Sequence, residues 1–331
     1  MPLADAAVQR RPGTLNRAVL LSSGRDGGSV TLTYLDEPRV RELLRMEELI
    51  PIVRQGLADL SSGRVTQPVR VVVPTTEHAG FFGLMPAYAS SALGAKLVTF
   101  YPANAGMPTH HAIIALFRPE TGEPIALMDG RLITEMRTAA ASAVATDLLA
   151  RPDAGVLAIL GSGVQAASHL EALRLVRRIR EVRVFSPRNA GAFAALHGVQ
   201  AARSAEDAVR GADLIVTVTS STTPVLRGEW VSAGAHINAV GACRPDWREL
   251  DDAVLARSRI WVDSRPAAEV ESGDVIAAGA RRIVGEVGSV AAGTLAGRAS
   301  ADEITVFKSL GVAVEDLVAA ELVRRRSVAA G

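Results

Sequence analysis

The chain has 331 residues, with 36 basic and 35 acidic side chains, a net charge of +1, six histidines and one cysteine. That balance excludes the basic footprint that nucleic acid or an anionic membrane surface calls for, and a single thiol excludes an intrachain disulfide or a cysteine-rich zinc cluster. At roughly 150 residues per domain the length predicts two domains, and a hydrophobic share of 48% against 21% charged predicts a globular chain. No apolar run reaches the roughly 18 residues of a membrane span, and the opening apolar run Ala18–Leu21 is too short for an export signal. A soluble cytoplasmic protein is expected.

In chain order, residues 1–30 read as a flexible tail, with Asp5, Asp26 and a Gly-Gly pair among its residues. Residues 36–60 carry Leu43, Leu44, Met46 and Leu49 at helical spacing, and Pro51 predicts a break into a second helix. Apolar segments at 69–75, 95–102, 111–119 and 124–130 predict strands. The Pro119-Glu120-Thr121-Gly122-Glu123 link between the last two is a hairpin-style turn, so this half is α+β with an antiparallel sheet. An Ala-rich helix follows from Thr134, its expected N-cap, to the Arg151-Pro152 stop.

Short, wholly apolar strands then alternate with helical stretches, at 182–187, 212–220, 236–242 and 259–264. That pattern predicts a parallel sheet covered on both faces. Residues 305–326 read as a closing helix interrupted at Gly311. The division expected is a substrate-binding and dimerisation domain at 31–134 plus 305–331, and a Rossmann-type dinucleotide-binding domain at 135–304. The fold class is therefore α/β, a parallel-sheet domain beside an α+β antiparallel-sheet domain.

Gly161-Ser162-Gly163-Val164-Gln165-Ala166 is a GxGxxA loop that follows the strand Val156–Leu160 directly and opens a helix. In that context Gly161 permits the tight turn, Gly163 lets backbone approach a pyrophosphate, and Ala166 allows close helix–strand packing. The next strand ends in Ser186-Pro187-Arg188-Asn189 with no acid to hold a ribose 2′-hydroxyl. Arg188 suits a 2′-phosphate, which favours NADP(H) over NAD(H), with acceptance of both as the alternative.

At this point the chain resembles the ornithine cyclodeaminase/μ-crystallin family, from about Tyr34 to Val323. The resemblance rests on Met85-Pro86-Ala87, Gly94-Ala95-Lys96 with Asn104, Thr121-Gly122, and Leu132-Ile133-Thr134 leading into Arg137-Thr138-Ala139-Ala140. It continues through the GxGxxA loop and Thr305–Gly311 with Glu315-Asp316. The loop Gly241-Ala242-Cys243-Arg244-Pro245-Asp246-Trp247-Arg248-Glu249-Leu250 resembles the μ-crystallin, or ketimine reductase, branch. Cyclodeaminases carry a catalytic Asp there, and this chain has Ala242-Cys243-Arg244.

The resemblance implies a homodimer and an NADPH-dependent reduction of a small cyclic or open-chain α-imino acid. Arg70 and Arg137 match the family's carboxylate-binding positions. Lys96 is the candidate for protonating the imine nitrogen or for holding the carboxylate from its other side. Only two of the basic residues are lysines, and an amine beside two guanidiniums is expected to have a lowered pKa. Met85 and Asp316 join the substrate set, Asp316 as the acid that orders the cations. Thr109 and His110 lie in a segment similar to one that touches cofactor, and Thr219, Cys243 and Ser309 are placed with them. The histidines show no ligand spacing, so no metal is expected. The alternatives are an ornithine cyclodeaminase-type lyase, an alanine-dehydrogenase-like enzyme and an NADPH-dependent binding protein without turnover.

Overall fold

The computed structural model describes residues 17–22 and 29–329. Strands that alternate inward and outward side chains build the first sheet. They are β1 (Arg17–Ser22), β2 (Ser29–Leu35), β3 (Val71–Thr75), β4 (Gly80–Ala89), β5 (Ala92–Phe100), β6 (His110–Phe117) and β7 (Pro124–Asp129). The order is β1-β2-β7-β6-β5-β4-β3. Every neighbouring pair is antiparallel except β2 with β7, which is parallel.

The second sheet holds β8 (Val156–Leu160), β9 (Glu181–Phe185), β10 (Gln200–Ala201), β11 (Leu214–Thr217), β12 (His236–Ala239), β13 (Ser258–Val262), β14 (Ile283–Glu286) and β15 (Ile304–Lys308). Its order is β10-β9-β8-β11-β12-β15-β13-β14, parallel throughout. The chain leaves β8 toward β9 on one side and returns to β11 on the other. That reversal opens a crevice at the carboxyl ends of the strands, where dinucleotides bind in such sheets. Strands β11 and β12 are buried at every position, as their apolar runs predict, and so is β15.

The longer helices are α1 (Glu37–Leu43), α2 (Met46–Ser61), α3 (Arg131–Leu149) and α4 (Val164–Val176). After the short helices of the second sheet, α5 (Ala313–Ala329) ends the described chain. Helix α3 is buried over most of its length and is lined by Ala139, Ala140, Ala141, Ala143 and Ala145. It packs against α2, α4 and α5 and against strands of both sheets. Small side chains permit that close approach on every face, which is why the helix shows no single apolar stripe. No helix among the described residues is long and apolar enough to cross a membrane.

Five expectations need correction. Residues 17–22 and 29–30 form strands rather than tail, because the apolar run at 18–21 is long enough for an edge strand; residues 1–16 and 23–28 lie outside the described residues. The first helix ends at Leu43, and Pro51 lies inside α2 on its exposed side, where the missing N–H is tolerated. The sequence reading has no strand at Gly80–Ala89, since Gly80, Gly83 and Pro86 resemble loop chemistry; register with β3 and β5 overrides them. Helix α3 starts at Arg131, ahead of Thr134, with Asp129 Oδ1 accepting the Arg131 N–H. Thr134 therefore bonds back to the Gly130 carbonyl instead of capping, and Arg137 stands beyond the first turn and its free N–H groups. Finally, residues 305–308 belong to β15, an interior strand of the parallel sheet, and helix begins only after Gly311.

Candidate active site

In β5 the side chain of Lys96 points inward, between Leu97 on the outer face and the β4 neighbour Met85. Its ammonium is buried and meets Asp316 of α5, Nζ to Oδ2 2.6 Å. The other Asp316 oxygen accepts from Arg137 Nε of α3 at 2.9 Å, and Arg137 Nη1 donates to Glu315 Oε2 at 2.7 Å. Asp316 thus bridges the lysine and the arginine.

Gly311 joins this cluster to Arg70. Arg70 Nη2 donates to the carbonyls of Leu310 and Gly311 at 2.7 and 2.8 Å, while its Nε donates to Glu271 at 2.9 Å. Gly311 has φ +74°, and a Cβ there would fall 2.3 Å from Arg137 Nη1. Only glycine lets the backbone sit against one guanidinium while offering its carbonyl to the other. Arg70, Met85, Glu271 and Gly311 line a cleft of about 190 Å³ whose remaining walls include Leu60, Val69 and Val312.

Electrostatics follow from burial. Desolvation pushes the Lys96 ammonium down to about 7, with Arg137 assisting and Asp316 opposing. Like charge is therefore the lesser cause, not the main one expected from sequence. Burial alone would raise Asp316, but Arg137 and Lys96 outweigh it and hold the carboxyl below its ordinary value. Burial pushes Glu315 up to about 8 despite Arg137. Arg70, Lys96 and Arg137 thus share one cluster with Glu271, Glu315 and Asp316, in which the Lys96 ammonium and the Glu315 carboxyl both change charge near neutrality. His110 lies beside them on β6; burial, Lys96 and Arg137 push its imidazole down to about 4, so it is neutral there.

On the dinucleotide side, Gly161 takes φ +118°, and a Cβ would lie 2.5 Å from the Val218 carbonyl oxygen. Gly163 faces open space at the start of α4, and Ala166 is fully buried. Ser162 Oγ donates to Ser186 Oγ at 2.8 Å, which also accepts the Asn189 N–H at 3.2 Å. Val164 is exposed, and Gln165 Oε1 is buried without a partner. Arg188 is exposed, with no carboxylate within 4 Å among the described residues. The Thr219 N–H and hydroxyl both bond Glu249. The Cys243 thiol is free and half-buried, and Ser309 Oγ is buried without a partner. The open Gly163 and the orphaned Gln165 and Ser309 oxygens fit a dinucleotide lying over the carboxyl edge of β8 and β11. Thr109 is exposed at the start of β6, and only its carbonyl is engaged, by the Tyr101 N–H.

Glu271 and Asp263 escape the sequence reading, and Glu315 enters it only as part of the family resemblance, with no role in the site. Buried Asp263, just after β13, accepts the Leu310 and Gly311 N–H groups at 2.6 and 2.7 Å and so fixes the turn that holds both arginines. Its signal was an acid ending an apolar strand, Trp261-Val262-Asp263.

A model of the ornithine cyclodeaminase/mu-crystallin family matches residues 33–331. The chain belongs to that family. Among family relatives it is 51% identical over 302 residues to ketimine reductase mu-crystallin of Mus musculus, covering 88% of this chain and 96% of that one. Among solved structures it resembles Thermococcus litoralis Delta(1)-pyrroline-2-carboxylate reductase in complex with NADH and L-proline, at 37% identity and TM-score 0.86, covering 90% of this chain and 98% of that one. An archaeal alanine dehydrogenase dimer with bound NAD matches at 35% identity and TM-score 0.86, covering 90% and 96%.

Proposed function

We propose that this chain is an NAD(P)H-dependent oxidoreductase that reduces a small cyclic or open-chain α-imino acid to the amino acid. The observation that carries the reading is the buried Lys96–Asp316–Arg137 cluster beside a cleft lined by Arg70, within a chain that also holds a glycine-loop dinucleotide fold. Arg70 and Arg137 each engage only part of their donor set, and the remaining N–H groups suit a substrate carboxylate. Lys96, poised near neutrality, places a proton on the imine nitrogen, and its own proton is restored from solvent after turnover. The cofactor, when bound, supplies the hydride to the imine carbon. Burial of the cluster excludes water and so protects the hydrolysable C=N bond.

NADPH is the proposed donor, held at the 2′-phosphate by Arg188 beside Ser186, where a carboxylate would repel it. Gly161, Ser162, Gly163, Val164, Gln165 and Ala166 face the pyrophosphate side; Thr219, Cys243 and Ser309 face the nicotinamide side. A homodimer through the outer face of the first sheet is part of the reading: Val71, Val73, Phe82, Tyr88, Leu97 and Ile113 leave that face apolar and exposed. Against a cyclodeaminase, the loop after β12 carries Ala242-Cys243-Arg244, and its Asp246 is exposed.

The test is NADPH and NADH oxidation at 340 nm with five- and six-membered cyclic imino acids, with pyruvate plus ammonium and ornithine alongside. Imine-dependent NADPH oxidation is expected. Ammonia release from ornithine without net oxidation would replace the reductase by a lyase. Cofactor binding without any turnover would leave a binding protein.

A further inference from the structure

Glu249 is fully buried, and no cation among the described residues lies within 4 Å of its carboxylate. Neutral donors surround it instead. Oε2 accepts from Thr217 Oγ1 at 2.8 Å and from the Gly241 N–H at 2.7 Å; Oε1 accepts the Thr219 N–H and hydroxyl, both at 2.7 Å. These four donors belong to the carboxyl end of β11, which borders β8 at the crevice, and to the chain leaving β12, the next strand along.

Around that carboxylate the backbone has no slack. A Cβ on Gly241 would lie 2.2 Å from the Thr219 carbonyl oxygen and 2.5 Å from Glu249 Oε1, and Gly161 packs against the intervening Val218. Behind it, Asp274 Oδ1 accepts the N–H groups of Glu249 and Leu250 at 3.1 Å, and its Oδ2 faces the buried Lys308 ammonium at 3.5 Å. A buried carboxylate with four donors is a strong anchor, and removing its charge leaves donors facing a weaker acceptor.

From this geometry we infer that Glu249 is a positioning residue for the cofactor. It ties Thr219 and Gly241 into one rigid edge, with Asp274 and Lys308 as its support, and that edge sets where the nicotinamide end of the dinucleotide rests. The inference depends on the dinucleotide reading proposed above. Both oxygens of buried Glu249 are taken by these protein donors, so its action on the cofactor is through Thr219 and Gly241.

The experiment compares wild type with E249Q and T217V. It measures the NADPH dissociation constant by fluorescence, melting with and without NADPH, and kcat and KM for the cofactor. In E249Q an amide N–H opposes the backbone donors with little change of volume. The expected result is at least a tenfold weaker NADPH dissociation constant, a smaller NADPH-induced rise in melting temperature and a cofactor KM that rises more than kcat falls. T217V deletes one hydroxyl donor and is expected to weaken binding two- to fivefold, which keeps the test informative where E249Q fails to fold. Lower melting with NADPH affinity within twofold of wild type, in either folded variant, overturns the inference and leaves Glu249 a structural anchor. A wild-type chain that binds neither NADPH nor NADH overturns the dinucleotide reading and this inference together.

Discussion

Two polar clusters are buried against α3, and they are built differently. Toward the first sheet lie Lys96, Arg137, Glu315 and Asp316, all ionisable and closely packed. Toward the parallel sheet lie neutral groups: His236 Nδ1 with Thr305 Oγ1 at 2.9 Å, His236 Nε2 with Asn238 Oδ1 at 3.3 Å, and Asn238 Nδ2 donating to Thr146 Oγ1 at 2.9 Å. Burial, with the Arg298 charge assisting, pushes the His236 imidazole down to about 3, so these three side chains and Thr146 stay uncharged at neutral pH, with a cation only at their edge, where Arg298 Nη2 donates to Thr305 Oγ1 at 3.0 Å. Desolvating ions is costly, and a buried ion cluster gains little stability over apolar packing of the same volume. The neutral cluster fits a role in holding α3 to the sheet, whereas the charged one, on the function proposed above, is retained for what it does to a ligand.

The sharpest way to break that contrast is Arg137→Ala. If the charged cluster serves catalysis, the variant loses at least about 3 kcal/mol of transition-state stabilisation, over a hundredfold in kcat/KM. Wild-type kinetics in a folded variant would remove Arg137 from the site. Gly311→Ala comes next, because its Cβ meets the Arg137 guanidinium at a positive φ. A loss of about tenfold in kcat/KM is expected, with a stability cost of about 1–2 kcal/mol from the backbone conformation alone; a variant with unchanged substrate KM would show that Arg137 does not need the close approach.

A pH profile separates the two clusters without mutation. On the proposed mechanism Lys96 must carry its proton to donate it, and with burial pushing it down to about 7, kcat/KM is expected to fall as pH rises through that value, approaching tenfold per unit above it. Lys96→Arg, which cannot deprotonate in this range, is expected to abolish that limb along with most of the rate. A limb that persists in the variant would assign the titration elsewhere.

The legibility of the two regions differs in the same direction. Most of the parallel sheet was readable because short, largely apolar strands such as Val156–Leu160 and Leu214–Thr217 alternate with helices and glycines mark the turn after β8. The first sheet was only half readable: β4 hides behind Gly80, Gly83 and Pro86, and its strand character comes from pairing with β3 and β5. Lys96, Arg70, Arg137 and Asp316 were singled out by residue type and family resemblance. Their meeting through Gly311 and Asp263 depends on a strand at 304–308 that read as helix, so no local pattern could announce it. Glu315 was named with Asp316 in the resemblance but given no role, because an acid beside an acid on a helix reads as a solvent face until the packing buries both.

The smallest effect expected is on the neutral side. Thr146→Val keeps the shape of α3 but leaves Asn238 Nδ2 without its acceptor, at a cost of about 1–3 kcal/mol, and kcat/KM is expected to stay within twofold of wild type. His236 adds a pH signature to the same cluster. Its folded pKa of about 3 lies below the ordinary 6.5, so the unfolded chain binds one more proton between those values. Stability is then fully present above 6.5 and falls as pH drops, by up to about 1.4 kcal/mol per unit from this one group. Buried His169, pushed down to about 4, acts with the same sign over a narrower window. Replacing His236 with Gln lowers stability at pH 7.5 but should flatten its decline toward pH 5, as read by urea unfolding at both pH values. An equally steep decline in the variant would take His236 out of the acid response, leaving it to His169, His110 and the charged cluster, and the neutral side of α3 would lose its pH signature.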